Sequence, residues 1–187
     1  MTNSQRRGEN RKNLYIVGFM GTGKSTAGRR LASRLDMEFL DVDQEIETKE
    51  GASINRIFEE KGEDAFREME RNFIENEHPR SGCVVSCGGG LVVPDGMPEL
   101  LRSMGVVVCL WATPETIFER TKANTDRPLL NSADPLGRIQ KLLALREPRY
   151  LRAGNLVSTT DRSLDQVVDA VLRLYKSSVD RDNDAPP

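Results

Sequence analysis

The sequence is poor in the residues that build many kinds of site. It has one histidine, His78, and three cysteines, Cys83, Cys87 and Cys109. Cys83 and Cys87 lack C-x-x-C spacing, and His78 sits in a turn-like His-Pro-Arg-Ser-Gly segment, so a zinc site is not expected. Three cysteines are an odd number in apolar surroundings, which reads as buried, reduced thiols in a cytoplasmic protein. No apolar run approaches the roughly 20 residues of a membrane span, so no membrane association is expected. The basic N-terminus carries no apolar segment of the secretory kind. Net charge is −2, which gives no field to draw the chain to nucleic acid or a membrane surface. There is no internal repeat.

What the chain does have is a single domain's worth of length, 187 residues, and a regular alternation of apolar runs with helical patterns. Strand-like runs lie at Leu14–Val17, Phe39–Asp43, Cys83–Cys87, Val106–Leu110 and Leu156–Thr159. Helical stripes lie between them. Ala27, Leu31 and Leu35 follow the first run. Ser53 is a plausible cap for a helix that Gly62 stops. Phe66, Met69, Phe73 and Ile74 form a second stripe up to Glu77. Thr113-Pro114-Glu115 and Asp134-Pro135 are strong helix starts, and Ser163 caps the last helix. This alternation predicts a three-layer α/β/α fold with a five-stranded parallel sheet. Residues 1–12 and 178–187 read as disordered tails, residues 13–177 as one domain, and the patternless 123–133 as a mobile lid. A monomer is expected.

The central motif is Gly18-Phe19-Met20-Gly21-Thr22-Gly23-Lys24-Ser25, of the form G-x-x-x-x-G-K-[ST], placed between the first strand and a helix. Glycines let backbone N–H groups turn inward, and the helix N-terminus offers free donors and a positive dipole end. Lys24 adds charge at the β- and γ-phosphates of a nucleotide. The Ser25 hydroxyl suits Mg²⁺. Gly21, Thr22, Gly23 and Thr26 complete the candidate ATP-binding set.

In a parallel sheet, ligands sit at the carboxyl ends of the strands. Asp41 and Asp43 end the second strand, and Gly88-Gly89-Gly90 follow the third. All should converge with the phosphate loop. Two residues apart on a strand, the two aspartates would point the same way, one beside Mg²⁺ and one beside a substrate hydroxyl. Arg67 lies one turn from Glu70, which can hold its guanidinium in place.

Together these segments, with Phe66-Arg67-Glu68-Met69-Glu70 and Arg127-Pro128-Leu129-Leu130, resemble the shikimate kinase family. The matches span about Leu14 to Tyr175, in family order. The resemblance implies a P-loop, nucleoside monophosphate kinase-like fold and ATP-dependent phosphorylation of the 3-hydroxyl of shikimate, on the route to chorismate and aromatic amino acids. Shikimate and ATP are the implied small-molecule partners. By resemblance Lys24, Asp43 and Arg127 are catalytic. Ser25 and Asp41 form the Mg²⁺ environment. Asp43, Arg67, Gly88, Gly89, Gly90 and Arg146 bind shikimate, Arg127 closes from the lid, and Arg120 and Arg162 flank adenine. One departure is Arg149 at the leucine of an R-x-P-L-Y segment. A gluconate kinase is the nearest rival among enzymes. A GTPase-type switch is disfavoured: Asp134-Pro135-Leu136-Gly137 spells D-x-x-G on a helix, and no N-K-x-D segment exists.

Overall fold

The computed structural model describes residues 11–122 and 134–183. Five strands form one sheet: β1 (Asn13–Val17), β2 (Glu38–Asp41), β3 (Cys83–Ser86), β4 (Gly105–Trp111) and β5 (Asn155–Ser158). Their order is β2-β3-β1-β4-β5, and every pairing is parallel. Seven α-helices are described: α1 (Lys24–Leu35), α2 (Val42–Glu50), α3 (Ile54–Asn72), α4 (Met97–Met104), α5 (Pro114–Thr121), α6 (Pro135–Ala153) and α7 (Leu164–Asn183). From β1 the chain crosses to the β2 edge, and from β3 it crosses back past β1 to β4. The connections after these two neighbouring strands therefore leave in opposite directions, which opens a crevice at their carboxyl ends.

Alternation along β1 splits the core in two. Leu14 and Ile16 pack with Ala27, Leu31 and Leu35 of α1 and with Val167, Val168 and Val171 of α7. Tyr15 and Val17 face the other layer, with Ile46, Ile57, Phe66, Leu101 and Tyr150. Burial on both faces is why these strands read as unbroken apolar runs.

Local signals end the helices where the sequence places them. Ser53 accepts from the Arg56 amide, Thr113 from Thr116 and Asp134 from Gly137. Gly62, at φ 84° and ψ 171°, breaks the helix of α3 into the two arms that the sequence predicts. A π-helical turn, Phe73–Glu77, follows.

Three expectations need correction. Asp41 closes β2, but Asp43 lies in the first turn of α2, so the two carboxylates leave from different elements rather than from one strand face. The last helix does not stop at 177. It runs to Asn183, because Val179 continues the stripe of Val171 and Tyr175 against the core and outweighs the polar Ser177-Ser178 pair. At the other end, Arg11 and Lys12 are held rather than loose: their carbonyls accept from the Gly82 amide and the Tyr175 hydroxyl, each at 2.7 Å. The expected lid, 123–133, lies outside the described residues, as do 1–10 and 184–187.

Candidate active site

The phosphate loop turns tightly after β1. Gly18 has φ 137°, and a Cβ there would stand 2.1 Å from the Leu110 carbonyl of β4, so only glycine fits. Thr22 is buried and donates to the Phe19 carbonyl at 2.7 Å, which braces the loop from within. Lys24 donates to the same carbonyl at 3.0 Å. Helix α1 starts without a side-chain cap or an acidic first turn, leaving its N-terminal amides and dipole for an anion.

Ser25, the second residue of that helix, donates to Asp41 Oδ2 at 2.7 Å, and its hydroxyl lies 3.3 Å from that of Ser86. These three oxygens come from α1, β2 and β3, at the carboxyl edge of the sheet. An all-oxygen set beside a phosphate loop suits Mg²⁺, which takes few protein ligands and completes its shell with water and phosphate. Ser86 was not singled out from sequence. The available signal is a hydroxyl ending an otherwise apolar strand just ahead of three glycines.

Across from the phosphate loop, Gly88 is the hub. A Cβ at Gly88 would lie 2.4 Å from Glu70 Oε1 and 2.7 Å from Asp43 Oδ1, so both carboxylates press on one glycine. A Cβ at Gly90 would stand 2.3 Å from the Arg67 guanidinium, and one at Gly89 would touch the Met20 amide at 3.4 Å. The glycine run is thus the seam where α2, α3 and the phosphate loop meet. Arg67 pairs with Glu70 at 2.5 Å and Glu63 at 2.8 Å.

Burial, more than any neighbour, raises the Asp43 carboxyl above the usual carboxylate range; Asp41 adds to the shift and Lys24 opposes it. Burial likewise pushes Glu70 up to about 7 against the pull of Arg67. Glu70 Oε1 has no hydrogen-bond partner.

Helix α6 closes the far side. Arg146 reaches the Gly89 carbonyl at 3.4 Å and lies over the Phe19 ring, 5.9 Å from its centroid. Tyr150, one turn further on, donates to the same carbonyl at 2.6 Å. Tyr150 was also missed from sequence, although its i, i+4 spacing from Arg146 puts both on one helix face. Arg149 at the departing position pairs with Asp95, while Arg71 donates to the Asp95 carbonyl at 3.2 Å.

The structure therefore brings together Lys24, Ser25, Asp41, Asp43, Arg67, the glycine run and Arg146. Arg120 of α5 donates to Thr159 Oγ1 at 2.9 Å, the Thr159 carbonyl at 2.8 Å and the Gly21 carbonyl at 3.3 Å, tying the phosphate loop to the residue after β5. Thr26 and Arg162 are exposed, on α1 and after β5 respectively. Arg127 lies outside the described residues.

A family model described as shikimate kinase matches residues 20–176. The chain belongs to the shikimate kinase family. A shikimate kinase from a Sulfurihydrogenibium species is 42% identical over 165 residues, covering 88% of this chain and 98% of that protein. The solved shikimate kinase from Acinetobacter baumannii in complex with shikimate is 36% identical and superposes with a TM-score of 0.85, covering 94% of this chain and 98% of that one. A gluconokinase from Sinorhizobium meliloti superposes with a TM-score of 0.60 over 91% of this chain at 20% identity, a likeness of fold alone. The rival enzyme class thus shares the architecture, and family membership lies with the shikimate kinases.

Proposed function

We propose that the chain transfers the γ-phosphoryl group of ATP to the 3-hydroxyl of shikimate, giving shikimate 3-phosphate and ADP on the route to aromatic amino acids. The observation that carries this reading is the seam at Gly88–Gly90. It sets a carboxylate, Asp43, and two guanidiniums, Arg67 and Arg146, directly against the phosphate loop.

Shikimate is an anion with three hydroxyls. Arg67 and Arg146 supply charged forks for its carboxylate. Asp43 accepts a hydrogen bond from the reacting hydroxyl, and its raised pKa suits it to take that proton as the phosphoryl group transfers. Phosphoryl transfer passes through a loose transition state, so positioning and charge neutralisation outweigh covalent chemistry. Lys24 neutralises the transferring phosphates. Ser25 and Asp41 would hold Mg²⁺, which supplies charge at the β- and γ-oxygens when bound. The family resemblance assigns Arg127, outside the described residues, to the same charge. Arg120 and Arg162 flank the base. A cytoplasmic setting fits the three buried thiols.

With Mg·ATP and shikimate, a coupled ADP assay should show turnover that gluconate does not support. Equal turnover with gluconate overturns the acceptor assignment.

A further inference from the structure

A cavity of about 440 Å³ lies at the opposite end of the sheet from the phosphate loop. It opens where β1, β4 and β5 begin, against Gly105, Gly154 and Asn155. Among the described residues four cationic ones line it, Arg11, Lys12, Arg80 and Arg102, and no aspartate or glutamate does. In a chain of net charge −2 that concentration is local. The frame around it is ordered. The Arg11 and Lys12 carbonyls are pinned by Gly82 and Tyr175. Arg102 is braced by the Arg152 carbonyl at 2.7 Å and by Glu99 at 3.1 Å, and Arg80 by the Glu75 carbonyl.

We infer that this cavity binds the phosphate group of a small anion, at a site separate from the catalytic crevice. With Arg102 already paired to Glu99, the Arg11 and Arg80 guanidiniums and the Lys12 ammonium suit a dianion better than a monocarboxylate, and arginine forks match phosphate oxygens in pairs. The volume falls within the roughly 300–1,000 Å³ of small-molecule sites. A concave site in an otherwise acidic chain does not suit the long, evenly charged backbone of a nucleic acid.

The test is an amide NMR titration of the full chain saturated with Mg·ADP and shikimate, so that the phosphate loop is already occupied. The probes are inorganic phosphate and glycerol 3-phosphate, with sodium chloride at matched ionic strength as control. The Gly105 and Gly154 amides report on the cavity, Gly21 and Gly23 on the phosphate loop. The expected result is a saturable shift at Gly105 and Gly154 with at least one phosphate probe, weakened at least tenfold in Arg80→Glu and in Lys12→Glu. Arg102 is left intact because it braces α6, and either variant suffices if the other fails to fold. Tighter binding of glycerol 3-phosphate marks a phosphorylated metabolite as the occupant, and equal or weaker binding marks free phosphate. The inference is overturned if chloride reproduces the shifts, if neither probe saturates them, if only Gly21 and Gly23 respond, or if the folded variants bind as the parent does.

Discussion

Arg67 and Glu70, one helical turn apart on α3, form an ion pair at 2.5 Å in which the carboxylate is buried and the guanidinium keeps a 17% exposed edge. The pair is asymmetric by construction. Glu70 stays inside, with Oε1 turned toward Gly88 and Asp43, while Arg67 faces the crevice beside Gly90. A guanidinium fixed in this way loses little freedom when it meets a substrate carboxylate.

Removing the guanidinium should therefore cost the acceptor and spare the donor. Arg67→Ala is expected to weaken shikimate by about 2–4 kcal/mol, the cost of leaving a charged group without its partner. Steady-state kinetics with shikimate varied, alongside calorimetric ADP binding, check this. An unchanged shikimate KM, or an equal loss of ADP affinity, removes Arg67 from the acceptor site.

Glu70 gives a prediction about pH. Its folded pKa, about 7, lies above the 4.5 of an exposed glutamate. The folded state thus holds the proton more tightly than the unfolded chain. The stability this contributes is fully present below about pH 4.5 and is lost as pH rises through about 7. Full loss corresponds to about 3 kcal/mol, on the order of 1.4 kcal/mol for each unit of pKa. Urea unfolding of the parent and of Glu70→Gln, at pH 5.5 and pH 7.5, isolates the term. The parent should lose stability relative to the variant on going to pH 7.5. A gain instead means that Arg67 dominates burial and holds Glu70 ionised.

Asp43→Asn keeps the size of the side chain and removes its basicity. The loss in kcat should be about 10²- to 10⁴-fold, the range for a positioned proton acceptor. ADP should bind as before, since the proposed phosphate contacts lie on the loop and α1. Near-normal turnover would take Asp43 away from the reacting hydroxyl.

Ser25→Ala removes the hydroxyl held by Asp41 and Ser86. Partners in a metal's outer shell are worth about 10–100-fold in affinity, and a direct ligand should cost at least as much. The Mg²⁺ concentration for half-maximal turnover is expected to rise accordingly, with turnover partly recovered at high Mg²⁺. A parent-like Mg²⁺ dependence refutes the assignment of Ser25 to the metal.

The sequence by itself determined the class of fold, the alternation of strands and helices along the chain and the position of the phosphate loop. These are local matters. A phosphate loop needs only consecutive backbone units and the helix that follows. Caps such as Ser53 and Thr113, and the break at Gly62, likewise act within one turn. The acceptor residues were legible as types, through the family resemblance, but their arrangement was not. Only the structure shows Asp43 off the strand and in the first turn of α2, with Asp41 as the last residue of β2 held by Ser25. Only tertiary structure buried Glu70, brought Tyr150 to the Gly89 carbonyl and gave Arg149 a partner in Asp95. It also decided that α7 continues to Asn183, through the contact of Val179 with the core. Those outcomes depend on which atoms lie nearby when residues far apart in the chain are packed together, and a carboxylate's charge, a tyrosine's partner or a helix's end is set by that packing rather than by its neighbours in sequence.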